Sequence, residues 1–170
     1  TRVRSSAASD VYKRQELSLA PIQMHSLRSF CTLLIPSAEI ALALYIVSSI
    51  AVIAMAAVIW KSSVPLALRF SALTLAAVLV NPHLFVYDLL VLAPALLLLV
   101  DWTLSNGQPS SSATLHLLLY LAYVLPLLGP LSRWTHIQLS VPAFAALLWI
   151  LWRHTIAPPG KLAFNESTVV

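Results

Sequence analysis

From Ala38 onward the chain is written as five long apolar runs, about Ala38–Trp60, Leu66–Val80, Leu84–Val100, Leu115–Leu131 and Ile137–Trp152, divided by short polar stretches. A helix needs roughly 20 apolar residues to cross a hydrocarbon core, and each run is near that length. Within each run apolar residues recur all the way round a helix, whereas a water-facing amphipathic helix keeps a polar stripe. A chain this short cannot bury five such helices inside a water-soluble core. The pattern predicts an all-α fold, a polytopic transmembrane helical bundle with about five spans. Only Asn81-Pro82-His83 separates the second run from the third, which predicts a tight hairpin, because proline biases the residue before it away from helix. Trp60, Trp102, Trp134, Trp149 and Trp152 lie at or near run ends, where amphipathic rings favour the headgroup level.

Upstream, Met24–Ile35 (MHSLRSFCTLLI) sets His25, Ser26, Arg28 and Ser29 among Leu27, Phe30, Leu33 and Leu34, which predicts an amphipathic helix on the outer surface, ending at Pro36. Between Leu104 and Thr114 the composition turns to Ser, Asn, Gly, Gln and Pro and predicts a flexible cytoplasmic connection. The tail after Arg153, with Pro158-Pro159-Gly160, is expected to be poorly ordered, and Asn165-Glu166-Ser167 on such a tail reads as a chance glycosylation tripeptide. No internal repeat is visible. Thr1 to Gln15 is polar and matches no element. Its run Asp10-Val11-Tyr12-Lys13-Arg14-Gln15 resembles a translation of the transposon end used to prepare sequencing libraries, so genuine sequence is expected from near Glu16. The resulting division is 1–15 adaptor read-through, 16–37 outer-face loop with amphipathic helix, 38–152 transmembrane region and 153–170 cytoplasmic tail.

Composition narrows the function classes. Hydrophobic residues make up 59% and charged residues 9%, with a mean hydropathy of +0.87, outside the range of soluble domains. The net charge of +4 is scattered singly between apolar runs, which is no nucleic-acid footprint. Three glycines supply no phosphate-cradling loop, so no nucleotide cofactor is expected; the single Cys31 cannot close an intrachain disulfide, and no Cys/His group has metal-ligand spacing. Lys61, Arg69, Arg153 and Lys161 fall on one side of the predicted membrane, against Arg28 and Arg133 on the other. Positive charge favours the cytoplasmic side, which predicts a multi-pass plasma-membrane protein with a cytoplasmic C-terminus and an outward Asn81-Pro82-His83 turn.

An ionisable group inside a membrane needs a partner, a wet cavity or a route to the surface. Asp88 is the sharpest case, about two turns into the third run and about 9 Å from the turn at helical rise, with Tyr87 beside it. Helical spacing would put His83 and Tyr87 on one face. Two readings stay open: an outward polar pocket for substrate hydroxyls or a phosphate, or a carboxylate that pins a helix contact. Arg69 sits about 10 Å from Asp88 in depth on ideal helices, which predicts snorkelling rather than pairing. Glu39 suits a helix start, Asp101 an interface beside Trp102, and Pro94, Pro126 and Pro142 are candidate kinks. Arg28 with His25 could meet a lipid phosphate through paired hydrogen bonds, or Arg28 could touch only ordinary headgroups.

The amphipathic QMHSLRSF segment, a span, a short basic loop and then VNPHLFVYDLLVLAPALLLL together resemble the C-terminal part of glycosyltransferase family 87, over roughly Glu16 to Val100. These are polytopic GT-C enzymes, similar to the polyprenyl-phosphate-mannose-dependent α-mannosyltransferases of bacterial envelopes. The resemblance implies a hexosyltransferase that takes a polyprenyl-phosphate sugar donor and a glycolipid or glycan acceptor in the lipid bilayer, without a nucleotide. It implies that His83, Tyr87 and Asp88 line an outward pocket, with Arg28 and His25 as weaker candidates for the donor phosphate. The family's catalytic carboxylate belongs to an outer loop nearer the N-terminus, and no residue here is equated with it, so this stretch alone is expected to be inactive. The rival reading is a transporter or channel subunit with Asp88 as an ion or proton site.

Overall fold

A computed structural model describes residues 25–84, 86–106, 109–128 and 138–156. The segment Thr1–Gln15, the Ser132–His136 loop and everything from residue 157 lie outside the described residues, and with them the expectations for Arg133, Trp134 and Lys161. Among the described residues the fold is all-α: α1 (Leu27–Leu34), α2 (Ala38–Lys61), α3 (Leu66–Val80), a 3-10 segment (Val86–Val91), α4 (Leu92–Asn106), α5 (Pro109–Leu127) and α6 (Ser140–Ile156). α2 and α3 run antiparallel, with Tyr45 bonded to Val80 at one end and Arg69 over Trp60 at the other, and α3 sits at the centre, packed against α2, α4 and α6.

The central position of α3 follows from its small residues. Ala72 and Ser71 are fully buried, Ala76 nearly so, and Ser71 Oγ donates to the Ala95 carbonyl of α4 at 3.0 Å. Small side chains let two helix backbones approach closely. Leu75, Leu79, Leu99, Phe144, Leu147 and Leu148 fill the remaining space and are fully buried. Proline punctuation sets both ends of α3: Pro65 precedes it, and Asn81 before Pro82 is extended at φ −63, ψ 118.

Among the described residues two stretches, Ala38–Lys61 and Asp88–Ser105, are long and apolar enough to cross a membrane, while Leu66–Val80 and Ala113–Leu127 are apolar but shorter. Length and composition therefore support two spans, not the five of the sequence reading. α2 is unlike the core helix of a soluble protein. Only 22% of its most apolar window is buried, and Ile40, Leu42, Ile46, Val47, Ile50 and Ile53 are all exposed. An exposed apolar face of that extent marks a surface covered by something other than water.

Three local expectations are corrected. The third apolar run does not continue as one α-helix from Leu84; it opens as a 3-10 turn and becomes α-helical only at Leu92. Pro94 explains the switch: it donates no hydrogen bond to position 90 and its ring crowds that carbonyl, so the α register is closed upstream of it. Pro94 and Pro142 thus sit in first turns and kink nothing, and Pro126 alone is interior to a described helix, in the last turn of α5. The polar Leu104–Thr114 stretch is not a long connection, because α4 runs to Asn106 and α5 starts at Pro109. Proline is favoured at the first position of a helix, where its missing N–H has no intrahelical role.

Candidate functional site

α1 enters the bundle through a capping box built from two serines. Ser26 Oγ accepts from the Ser29 N–H, and Ser29 Oγ accepts from the Ser26 N–H. The helix stops at Leu34 because Ile35, before Pro36, is extended. The amphipathic pattern is real, but the buried side is mixed: Leu27 and Cys31 turn inward together with polar groups, while Arg28 and Thr32 are exposed. His25, Ser26 and Ser29 are buried while Leu34 is about half exposed. The buried polar groups turn inward because they have partners there.

Those partners come from the start of α6. His25 Nδ1 and Ser140 Oγ are 2.8 Å apart, and the Ser29 hydroxyl lies 3.0 Å from Gln138 Oε1 and 3.0 Å from its own turn's Ser26 carbonyl. One hydroxyl proton serves either acceptor, so the network has a choice of arrangement. The His25 N–H donates to the Leu84 carbonyl at 3.0 Å, which fastens α1 directly beyond the Asn81-Pro82-His83 turn. Gln138 and Ser140 are both buried. His25 Nε2 is buried without a hydrogen-bond partner, and burial pushes the His25 pKa below its ordinary value. At neutral pH the ring is therefore uncharged, with one nitrogen held by Ser140 and the other unused.

The sequence-predicted residues divide. His83 is exposed in the turn, where its N–H donates to Asn81 Oδ1 at 3.1 Å, and Asp88 is half-buried in the 3-10 segment. Because Asn81–Leu84 is not helical, His83 and Tyr87 do not share a helical face; the Tyr87 side chain lies outside the described residues. Arg28 points out, exposed, while His25 points in, so the expected Arg28–His25 pair for one phosphate is not assembled. Ser29, Gln138 and Ser140 went unremarked as site residues in the sequence. Polar residues beside an apolar run were the available signal, since in an apolar surrounding they must turn toward one another. An apolar cavity of about 330 Å³ is lined by Leu89, the residue after Asp88 in the chain, with Leu92, Ala93, Tyr123 and Pro126 among others; Asp88 itself does not line it. Among the described residues no group of His, Cys, Asp or Glu could hold a metal ion.

The opposite end of the bundle carries different chemistry. Trp60 closes α2, Trp102 lies near the end of α4, and Trp149 and Trp152 lie in the last turns of α6. Lys61, Arg69, Arg153 and His154 accompany them, with the Trp102 ring edge-on to His154 at 5.8 Å. Arg69 turns toward this end and stacks over Trp60 at 5.9 Å. No family model matches the chain, and neither a curated protein nor a solved structure matches it.

Proposed function

We propose that the chain is the C-terminal membrane part of a lipid-linked-sugar glycosyltransferase, a multi-pass plasma-membrane protein whose substrate-facing end carries His25, His83 and Asp88. The observation that carries the reading is the segregation of polar groups. His25, Ser26, Ser29, Gln138 and Ser140 are buried together beside the His83 turn, while α2 exposes an apolar face along its length. Buried polar groups at one end of an apolar bundle suit a substrate that is polar at its head and apolar along its chain. The apolar cavity that starts at Leu89 offers room for the apolar chain of a polyprenyl-phosphate sugar, and the resemblance of VNPHLFVYDLLVLAPALLLL to glycosyltransferase family 87 supplies the reaction class. In that reaction a carboxylate elsewhere in the longer protein deprotonates the acceptor hydroxyl. The lipid phosphate leaves the anomeric carbon, and the groups described here position donor and acceptor.

Asp88→Asn and His83→Ala, made in the full-length protein, are expected to lower sugar transfer from a synthetic polyprenyl-phosphate mannose tenfold or more per folded molecule, about 1.4 kcal/mol in barrier, with extraction yield near wild type. Unchanged turnover in both variants removes these residues from the site. Topology is tested separately. Four bundle-end tryptophans lie with Lys61, Arg69 and Arg153, which supports a cytoplasmic assignment for that end. With Cys31 replaced, a cysteine at 83 should react with a membrane-impermeant reagent in intact cells and one at 161 should not; the reverse pattern inverts the orientation.

A transporter or channel subunit is the second reading, favoured by one observation: Asp88 lies in a 3-10 interruption before α4, and broken helices beside a carboxylate are used for ion sites. Transport of a cation by the reconstituted protein, lost in Asp88→Asn while no sugar transfer is detected, would select it.

A further inference from the structure

A second cavity runs along the bundle from the Asn81-Pro82 turn to the end opposite His25 and Asp88. It is a groove of about 790 Å³ between α2 and α3, open to the side, running from Asn81 and Pro82 to Trp60 and Lys61. Its floor is made by Ala56, Ala57, Ala76 and Ala77, so the groove exists because α2 and α3 carry small residues where they face each other. Tyr45 sits toward one end with its hydroxyl donating to the Val80 carbonyl at 2.7 Å, which leaves the walls apolar.

The other end is cationic. Lys61 lines the groove, and the Arg69 guanidinium lies over Trp60, itself a lining residue. Arg69 Nε is buried without a hydrogen-bond partner, and among the described residues neither cation is held in an ion pair. Two unneutralised cations at the mouth of an apolar groove complement a ligand with an anionic head and an apolar tail. Along α2 the lining runs from Lys61 back to Tyr45, about 24 Å at 1.5 Å per residue, longer than the roughly 15 Å of one leaflet, so an acyl chain anchored at Lys61 is accommodated along it.

We propose that this groove holds one anionic phospholipid, its phosphate at Lys61 and Arg69 and an acyl chain along the alanine floor. Its cationic end, where the phosphate sits, is opposite His83 and Asp88, although the groove reaches the Asn81-Pro82 turn, and lipid binding does not depend on sugar transfer. It does rest on the membrane reading, which the extraction behaviour of the same preparations checks independently.

The test is native mass spectrometry of the full chain released from nanodiscs of equal phosphatidylglycerol and phosphatidylcholine. Wild type is expected to retain one phosphatidylglycerol about tenfold over phosphatidylcholine. Lys61→Gln with Arg69→Gln should bring the ratio near one, and Arg69→Lys should keep most of it, since the charge remains. Ala77→Phe fills the groove from its exposed side and should remove the retained lipid without disturbing the core. Arg153→Gln, an exposed cation at the same end but outside the groove, should leave the ratio unchanged. A wild-type ratio near one in membrane-integrated protein overturns the proposal and leaves the membrane reading standing. So does an Arg153→Gln loss equal to that of the paired variant, or full retention in Ala77→Phe.

Discussion

Ile50→Arg is expected to abolish membrane integration of the chain. Ile50 lies at the middle of α2 and is 61% exposed. On a water-soluble protein an arginine at such a position changes stability by no more than about 0.5 kcal/mol, because the charge is simply solvated. At the centre of a hydrocarbon core the same residue costs about 2.5–3.5 kcal/mol on insertion scales. That corresponds to about a hundredfold loss of the inserted form. The position is chosen so that the two environments predict opposite results. Sedimentable, carbonate-resistant protein should fall sharply in the variant, while Ile50→Ala, which removes apolar area without adding charge, should insert like wild type. Wild-type recovery of Ile50→Arg as a water-soluble monomer would show that α2 faces no lipid, and the function proposed above would go with it.

The same contrast explains how much of the fold could be read in advance. α3 was legible to its bounds because Pro65 and Asn81-Pro82 fence a uniform apolar run, and proline acts locally, through its own ring and the residue before it. α2 was legible for its length. Reading failed where one signal had two physical meanings. The Ser and Asn of Leu104–Thr114 are loop formers by composition but also helix-end residues, and the structure uses them as the latter, to Asn106 and from Pro109. At Leu84–Val100 hydropathy described the run correctly and said nothing of where the α register could begin, which Pro94 decided.

The candidate site was legible in part, for a different reason. His83 and Asp88 stand out in sequence because each is a polar residue in an apolar neighbourhood. The His25–Ser140 pair spans 115 positions and Ser29–Gln138 spans 109, and no periodicity relates residues that meet only through tertiary packing. The amphipathic pattern of α1 fixed its helical state but not the sense of its orientation. A polar stripe faces water on a soluble or interfacial helix and faces other polar groups where the surrounding medium is apolar. At α1 His25, Ser26 and Ser29 follow the second rule while Arg28 and Thr32 follow the first, which is why His25 separates from Arg28.

That burial makes His25 the group through which pH should act on the bundle. Its pKa is lowered from 6.5 by desolvation. In the unfolded chain the ring binds a proton near 6.5, while the folded protein resists it, so between the two values the unfolded state holds more protons and stability rises with pH. The stabilisation is complete above pH 6.5 and declines as pH falls from there through the folded-state value. Thermal unfolding in mild detergent, followed from pH 8 to pH 5, should show this loss in wild type and a flatter profile in His25→Gln; identical profiles would mean that the ring is not held neutral in the folded state. The hydrogen bond to Ser140 is separable from the titration by a mutant cycle at pH 8. Ser140→Ala leaves Nδ1 unpartnered as Nε2 already is, and His25→Ala leaves the Ser140 hydroxyl buried alone, so each should cost about 1–3 kcal/mol. The double variant removes both groups at once and should cost less than the two singles together by about 0.5–3 kcal/mol. Strict additivity would mean that the 2.8 Å contact contributes nothing to holding α1 against α6, and that the Leu84 carbonyl and the Ser29–Gln138 pair alone close this end of the bundle.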